Sequence, residues 1–137
     1  MENKQKHLEM IQNVITRMAN NSFMLKGWAV TLVAGIFALA SKDANKVFFL
    51  IAYVPIVTFW GLDAYYLRQE RLYRKLYDDV RRKNEKDIDF SMNATLPEYM
   101  TDKTTYGNTL LSVTELCFYL PLALLTAAVT VLALLLN

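Results

Sequence analysis

The residue types that most often build catalytic and metal sites are scarce in this sequence. It contains one cysteine, Cys117, and one histidine, His7. A single cysteine cannot form a disulfide within the chain, and so few ligands do not favour a zinc site. The four glycines form no phosphate-binding loop. His7 is expected at the surface near the N-terminus. Asp87 and Asp89 could touch a cation, but two loop carboxylates are more often solvated. We therefore predict no enzyme, no metal and no cofactor.

Charged side chains are missing from two long stretches of the chain. None occurs between Val47 and Leu62, and none between Leu116 and Leu136. Soluble domains intersperse charge because every element shows a face to water, whereas a helix that crosses lipid needs about 20 mainly apolar residues. The 137 residues are thus predicted to form one all-α membrane protein with three transmembrane helices.

The apolar runs divide the chain into five segments. The predicted segments are an N-terminal amphipathic helix (1–22), a first span (23–40), a second span (47–65), a basic helix with a loop (66–108) and a third span (109–136). Residues 20–22 either end the first helix or mark a bend into the next. Pro55 removes a backbone hydrogen bond near the middle of the second span, which is either a packing detail or a kink that serves gating.

Lysine and arginine are distributed unequally among these segments. Nine lie between the second and third spans, four lie up to Lys26, two lie in the connector at Lys42 and Lys46, and none follows. Positive charge favours the cytoplasmic side of a membrane. The N-terminus and the region 66–108 are therefore predicted to be cytoplasmic, and the C-terminus to face the other side.

Three charged residues fall inside or at the edges of the predicted spans. Lys26, Asp63 and Glu115 all lie near the cytoplasmic ends of their spans, and such charges normally face the interior of a helix bundle or water. One interpretation is an ion pair, Lys26–Asp63 or Lys26–Glu115, that fixes the register of the helices. The other is a polar ring at a pore mouth formed by several copies. An aspartate on the lipid-facing side would contradict both.

The basic helix after the second span interleaves cations with aromatic residues. This pattern is typical of a helix that leaves the membrane beside anionic lipid, but it also suits contact with a nucleotide or with single-stranded nucleic acid. An apolar stripe of Tyr66, Tyr73 and Val80 follows the same helix. The candidate ligand-binding residues are Arg71, Arg74, Lys75, Arg81, Arg82 and Lys83.

Part of the chain, about residues 22–92, resembles a family of small bacterial membrane proteins. The stretches that carry the resemblance are SFMLKGWAVTLVAGIFALA, DANK, FWGLDAYYLRQERLYRKLYD and DIDFSM. They are similar to the Hailong-type channel effectors of anti-phage defence, which implies an inner-membrane channel controlled by a nucleic-acid signal. The resemblance singles out Lys26, Trp28, Asp63, Tyr65, Tyr66, Arg68, Glu70 and Arg71.

Two functions are compatible with this sequence. The first is a homo-oligomeric pore or ion channel, a defence effector gated by an anionic cytoplasmic ligand. The second is a non-conducting membrane anchor that recruits a soluble protein encoded at the same locus through the stripe of Tyr66, Tyr73 and Val80, which is expected to be exposed. Both require the lipid bilayer, and only the first requires several copies, since three spans enclose no aqueous path.

Overall fold

The computed structural model describes residues 2–43 and 47–136, and only the backbone of 41–43. Its helices are α1 (Glu2–Asp43), α2 (Val47–Ile51), α3 (Tyr53–Arg81), α4 (Tyr106–Leu110) and α5 (Val113–Leu135). Three single 3-10 turns, Glu85–Asp87, Pro97–Tyr99 and Asp102–Thr104, lie between α3 and α4. These residues contain no strand, which confirms the predicted all-α class.

Three helical stretches are long and apolar enough to cross a membrane. They are Glu2–Ala40, Val47–Arg81 and Val113–Leu135. Most side chains in their apolar windows are not buried within the chain, as expected where lipid is the solvent. The fold is consistent with the predicted multi-pass membrane protein.

The first of these stretches is one continuous helix. Residues 20–22 neither end it nor separate two elements, and from Glu2 onward the segments predicted at 1–22 and 23–40 both belong to α1. Its buried residues include Ile15, Ser22 and Ala29, which recur every seven positions. This spacing keeps one stripe of a helix against a partner helix, and the partner is α3.

Helices α1 and α3 run antiparallel. Phe37 near the end of α1 contacts Phe49, with ring centroids 6.0 Å apart, while Ser22 in the middle of α1 contacts Asp63 further along the chain. Residues 44–46 of the predicted connector lie outside the described residues, and the backbone of 41–43 still belongs to α1.

The second apolar stretch is interrupted at Ala52, between α2 and α3. Pro55 follows shortly after and is buried. Proline has no N–H group, so the carbonyl of Ile51, four residues earlier, receives no helical hydrogen bond from it. A kink at Pro55 that serves gating stays a prediction.

The ends of the helices furthest from the predicted membrane pack into a polar layer, made of residues 2–21 of α1, 66–81 of α3 and the loop 82–105. Its apolar core contains Ile11, Ile15, Leu72, Leu76, Val80, Ala94 and Tyr99. The loop closes this core from one side. It also caps the start of α1, because the carboxylate of Glu85 accepts the backbone N–H groups of Asn3 and Lys4 at 2.8 and 3.1 Å.

The third apolar helix begins later than the predicted start at 109. Thr105 accepts the backbone N–H of Asn108 and so caps the short helix α4. The indole N–H of Trp60 then donates to the carbonyl of Leu110 at 2.9 Å. That carbonyl would otherwise continue the helical ladder, and α5 starts separately at Val113.

Candidate functional site: a buried charge cluster and a basic groove

The three charged residues predicted at membrane depth come together between α1, α3 and α5. Lys26 lies one turn after Ser22 on α1, Asp63 lies on α3, and Glu115 lies one turn before Tyr119 on α5. These five residues are called the charge cluster below. Asp63, Glu115 and Tyr119 are fully buried, and Ser22 is 8% exposed.

Asp63 receives three hydrogen bonds within this cluster. The hydroxyl of Ser22 donates to Oδ1. The ammonium group of Lys26 donates to Oδ2 at 2.5 Å, and the hydroxyl of Tyr119 donates to the same oxygen at 2.9 Å. A buried carboxylate is tolerated when it is paired and hydrogen-bonded in this way.

Glu115 is held differently. Its Oε1 atom lies 3.6 Å from Nζ of Lys26, which is an electrostatic contact but too long for a hydrogen bond. Neither carboxyl oxygen of Glu115 has a hydrogen-bond partner. The cluster therefore contains two carboxyl groups and one ammonium group, and only one of the carboxyl groups is satisfied.

The location of the cluster bears on its two predicted interpretations. Asp63 and Glu115 are buried between helices of a single chain, which favours a contact that fixes helix register over a ring of charges around an axis in this packing. Asp63 does not lie on the lipid-facing side, the placement that would have contradicted both interpretations. Ser22 and Tyr119 were missed from the sequence, although each lies one helical turn from a charged residue that was singled out.

The predicted basic residues divide into two groups. The first lies in a groove of about 210 Å³ between α3 and the turn Asp102–Thr104. The basic groove is lined by Arg71, Arg74, Lys75, Asp78, Lys103 and Thr104. It therefore presents four cationic side chains and one carboxylate, with Lys103 contributed by the loop and not named from the sequence. Glu70 partly offsets this excess, since its carboxylate lies 2.7 Å from Nη2 of Arg74.

The second group has acidic neighbours that offset its charge. Nε of Arg81 lies 3.3 Å from Asp78, and Nζ of Lys83 lies 4.0 Å from Asp79. Arg82 lines a separate cavity of about 290 Å³ together with Lys75 and the carboxylates of Asp78, Asp79 and Glu98. An anion is attracted less here than in the basic groove.

Two arginines attach the turn beside the groove to α3. Arg68 donates from Nε to the carbonyl of Thr104 at 2.8 Å, and Arg71 donates from Nη1 to the carbonyl of Lys103 at 2.9 Å. The chain passes from this turn directly into α4, where the hydroxyl of Tyr106 donates to the carbonyl of Gly61 at 2.7 Å. The groove is thus connected through a few residues to the start of α5.

Two expectations from the sequence are wrong in this region. His7 is fully buried instead of lying at the surface: its Nε2 atom is 2.8 Å from the carbonyl of Ser91, because the loop folds over the start of α1. The stripe on α3 is only partly exposed, since Val80 is fully buried while Tyr66 and Tyr73 are half-buried and Tyr73 packs against the core of the polar layer.

The loop carboxylates Asp87 and Asp89 are exposed, as expected. The backbone N–H of Ser91 donates to Asp89 and lowers the pKa of that carboxyl below its ordinary value. Within residues 2–43 and 47–136, no group of three His, Cys, Asp or Glu side chains converges as a metal site would require. Comparisons with protein-family models, curated proteins and solved structures found no match.

Proposed function

We propose that this chain assembles into a homo-oligomeric pore or ion channel of the bacterial inner membrane, with its N-terminus in the cytoplasm, and acts as an anti-phage defence effector. A nucleotide or a single-stranded nucleic acid gates it from the cytoplasmic side. The observation that carries the proposal is the basic groove, which lies beside the turn that leads into α4 and α5.

The chemistry of the groove suits a phosphate group. Arginine and lysine bind phosphate by charge-assisted hydrogen bonds, and arginine can do so with two parallel bonds. Four cations against one carboxylate leave an excess of positive charge even before a ligand binds. Thr104 also lines the groove, but its hydroxyl is already engaged by the carbonyls of Tyr99 and Thr101, so the cations are the available recognition elements.

The same residues offer a route from ligand to membrane. Arg71 donates to the carbonyl of Lys103, and a bound phosphate competes for that guanidinium. Its release weakens the attachment of the turn to α3 and allows α4 and α5 to shift. A ligand moves such an equilibrium only by its difference in affinity for the two packings, and the competition for Arg71 supplies such a difference.

Several copies are needed for conduction. Three helices enclose no aqueous path, and cyclic homo-oligomers are the common way to form one. In this packing the charge cluster is internal to each chain, so the axis is lined by another face of the spans.

The test is conductance of the purified protein in planar bilayers, with short single-stranded oligonucleotides as the probe. We expect a current that the oligonucleotide changes, and an Arg71→Gln/Lys75→Gln variant whose response requires at least tenfold more ligand. The matched control is Lys83→Gln/Lys86→Gln, which removes the same charge at two lysines that do not line the groove. A loss of response in the control alone would contradict the groove assignment.

The alternative, a non-conducting anchor, is distinguished by the same preparation. No current with or without the oligonucleotide, together with a soluble protein that co-purifies in fixed ratio, would favour it. The burial of Val80 removes part of the surface on which that alternative was based.

A further inference from the structure

The carboxyl group of Glu115 is buried without a partner that compensates for a negative charge. The residue is 0% exposed, and both of its oxygens lack a hydrogen bond. An ionised carboxylate in such surroundings loses its hydration and gains only the electrostatic contact with Lys26 at 3.6 Å, which is a costly arrangement in a folded protein.

Lys26 does not supply the missing compensation. Its ammonium group donates to Oδ2 of Asp63 at 2.5 Å and to Oγ of Ser22 at 3.0 Å, whereas it stays 3.6 Å from Glu115. Its single positive charge is therefore matched by the negative charge of Asp63. If both carboxyl groups were ionised, the cluster would carry one unpaired negative charge.

Among the side chains that the structure describes, none near Glu115 provides a second cation. The titratable groups that face it are Lys26 on α1, Asp63 on α3 and the hydroxyl of Tyr119 on its own helix. Helix α2 contains only VFFLI, with no titratable group. The only one in α4, the hydroxyl of Tyr106, is bonded to the carbonyl of Gly61.

We propose that Glu115 is a proton-binding site within the membrane part of this chain. In the described packing it holds a proton, so that Glu115 is neutral, Asp63 is negative, Lys26 is positive and the cluster has no net charge. Release of the proton leaves a carboxylate, which requires water or another cation. The deprotonated form consequently favours a packing in which α5 moves away from α1 and α3 and water reaches Glu115.

The protonation state of Glu115 does not depend on conduction or on the basic groove. Infrared spectroscopy measures it directly in the folded protein. A protonated carboxyl group has a C=O stretching band distinct from that of a carboxylate, and carbon-13 labelling of glutamate separates Glu from Asp.

The experiment uses the full chain in lipid vesicles at neutral pH. We expect a protonated-carboxyl band that shifts with labelled glutamate, disappears as pH rises and is absent from Glu115→Gln, a variant that mimics the neutral acid. Glu98→Gln, at an exposed position, is the control that should leave the band in place.

Two results would overturn the proposal. One is wild-type protein at neutral pH with no protonated glutamate band, a measurement that needs no variant. The other is an equal band in well-folded Glu115→Gln, judged by circular dichroism and gel filtration. Either result would show that Glu115 is ionised, or that another glutamate carries the proton.

Discussion

The ammonium nitrogen of Lys26 lies 2.5 Å from Oδ2 of Asp63, and this contact joins α1 to α3 within the charge cluster. Asp63 is fully buried and the side chain of Lys26 is 17% exposed. A pair in this position adds less stability than its attraction suggests, because both groups give up hydration. Its removal from one side has a larger effect, since the remaining charge is left alone.

Lys26→Met is therefore expected to destabilise the folded protein strongly. Breaking a buried ion pair from one side typically costs about 3–5 kcal/mol. The double variant Lys26→Met/Asp63→Asn should recover a large part of that loss, because it leaves no unpaired charge. Unfolding in detergent micelles, followed by circular dichroism, measures the differences.

Lys6→Met is the matched control for this prediction. Lys6 lies 3.8 Å from Glu9, and both side chains are 64% exposed, so the pair contributes about 0–1 kcal/mol. Equal losses in Lys26→Met and Lys6→Met, or a double variant worse than Lys26→Met alone, would contradict the buried ion pair.

The apolar spans and the three charges between them could be predicted from the sequence for a physical reason. Lipid excludes charge, so a stretch such as 116–136 without one marks a span, and the few charges left in the spans must meet. Lys26, Asp63 and Glu115 were grouped on that argument, and the structure places them together. Which carboxyl group Lys26 bonds to depends on side-chain geometry that spacing does not encode.

The polar layer was harder to predict from the sequence, because its contacts join residues far apart in the chain. His7 lies against Ser91, and nothing in the local sequence of either residue indicates the other. The interruption before α5 lies beside a contact of the same kind, since Trp60 of α3 donates to the carbonyl of Leu110. A helical period extending from 109 to 136 predicts one helix, whereas the structure has α4 and α5 with an extended Ser112 between them.

Ile11→Ala tests whether the N-terminal part of α1 is docked in the polar layer. Ile11 is fully buried in its core, and truncation of such a residue costs about 2–5 kcal/mol. We expect faster proteolysis and faster amide exchange in the loop 82–105. Gln12→Ala, at the exposed neighbouring position, should change stability by less than about 0.5 kcal/mol. Identical protection in the two variants would place α1 outside the core.

His7→Ala tests the contact between α1 and the loop. His7 is fully buried, its ring lies 5.6 Å from that of Phe90, and its Nε2 atom approaches the carbonyl of Ser91. Loss of a buried hydrogen-bond partner costs about 1–3 kcal/mol, so the loop should open more often around 88–92. Amide exchange measured residue by residue locates the effect. An effect confined to the first turns of α1 would contradict the contact.

The stability of the polar layer at alkaline pH is expected to depend on Tyr99. Burial, assisted by donation of its hydroxyl to Asp79 at 2.8 Å, raises the pKa of Tyr99 above its ordinary value of 10.0. The folded layer thus keeps this proton at pH values where the unfolded layer has released it. The stabilisation by Tyr99 is therefore constant with pH below about pH 10 and is lost as pH rises further. Amide exchange of the loop against pH measures this slope. Tyr99→Phe should be less stable at neutral pH by about 0.5–1.5 kcal/mol and should lose the part of the pH dependence that Tyr99 causes. The control Tyr65→Phe, at an exposed tyrosine, should retain that pH dependence. Equal slopes in wild type and Tyr99→Phe would exclude Tyr99 as the cause.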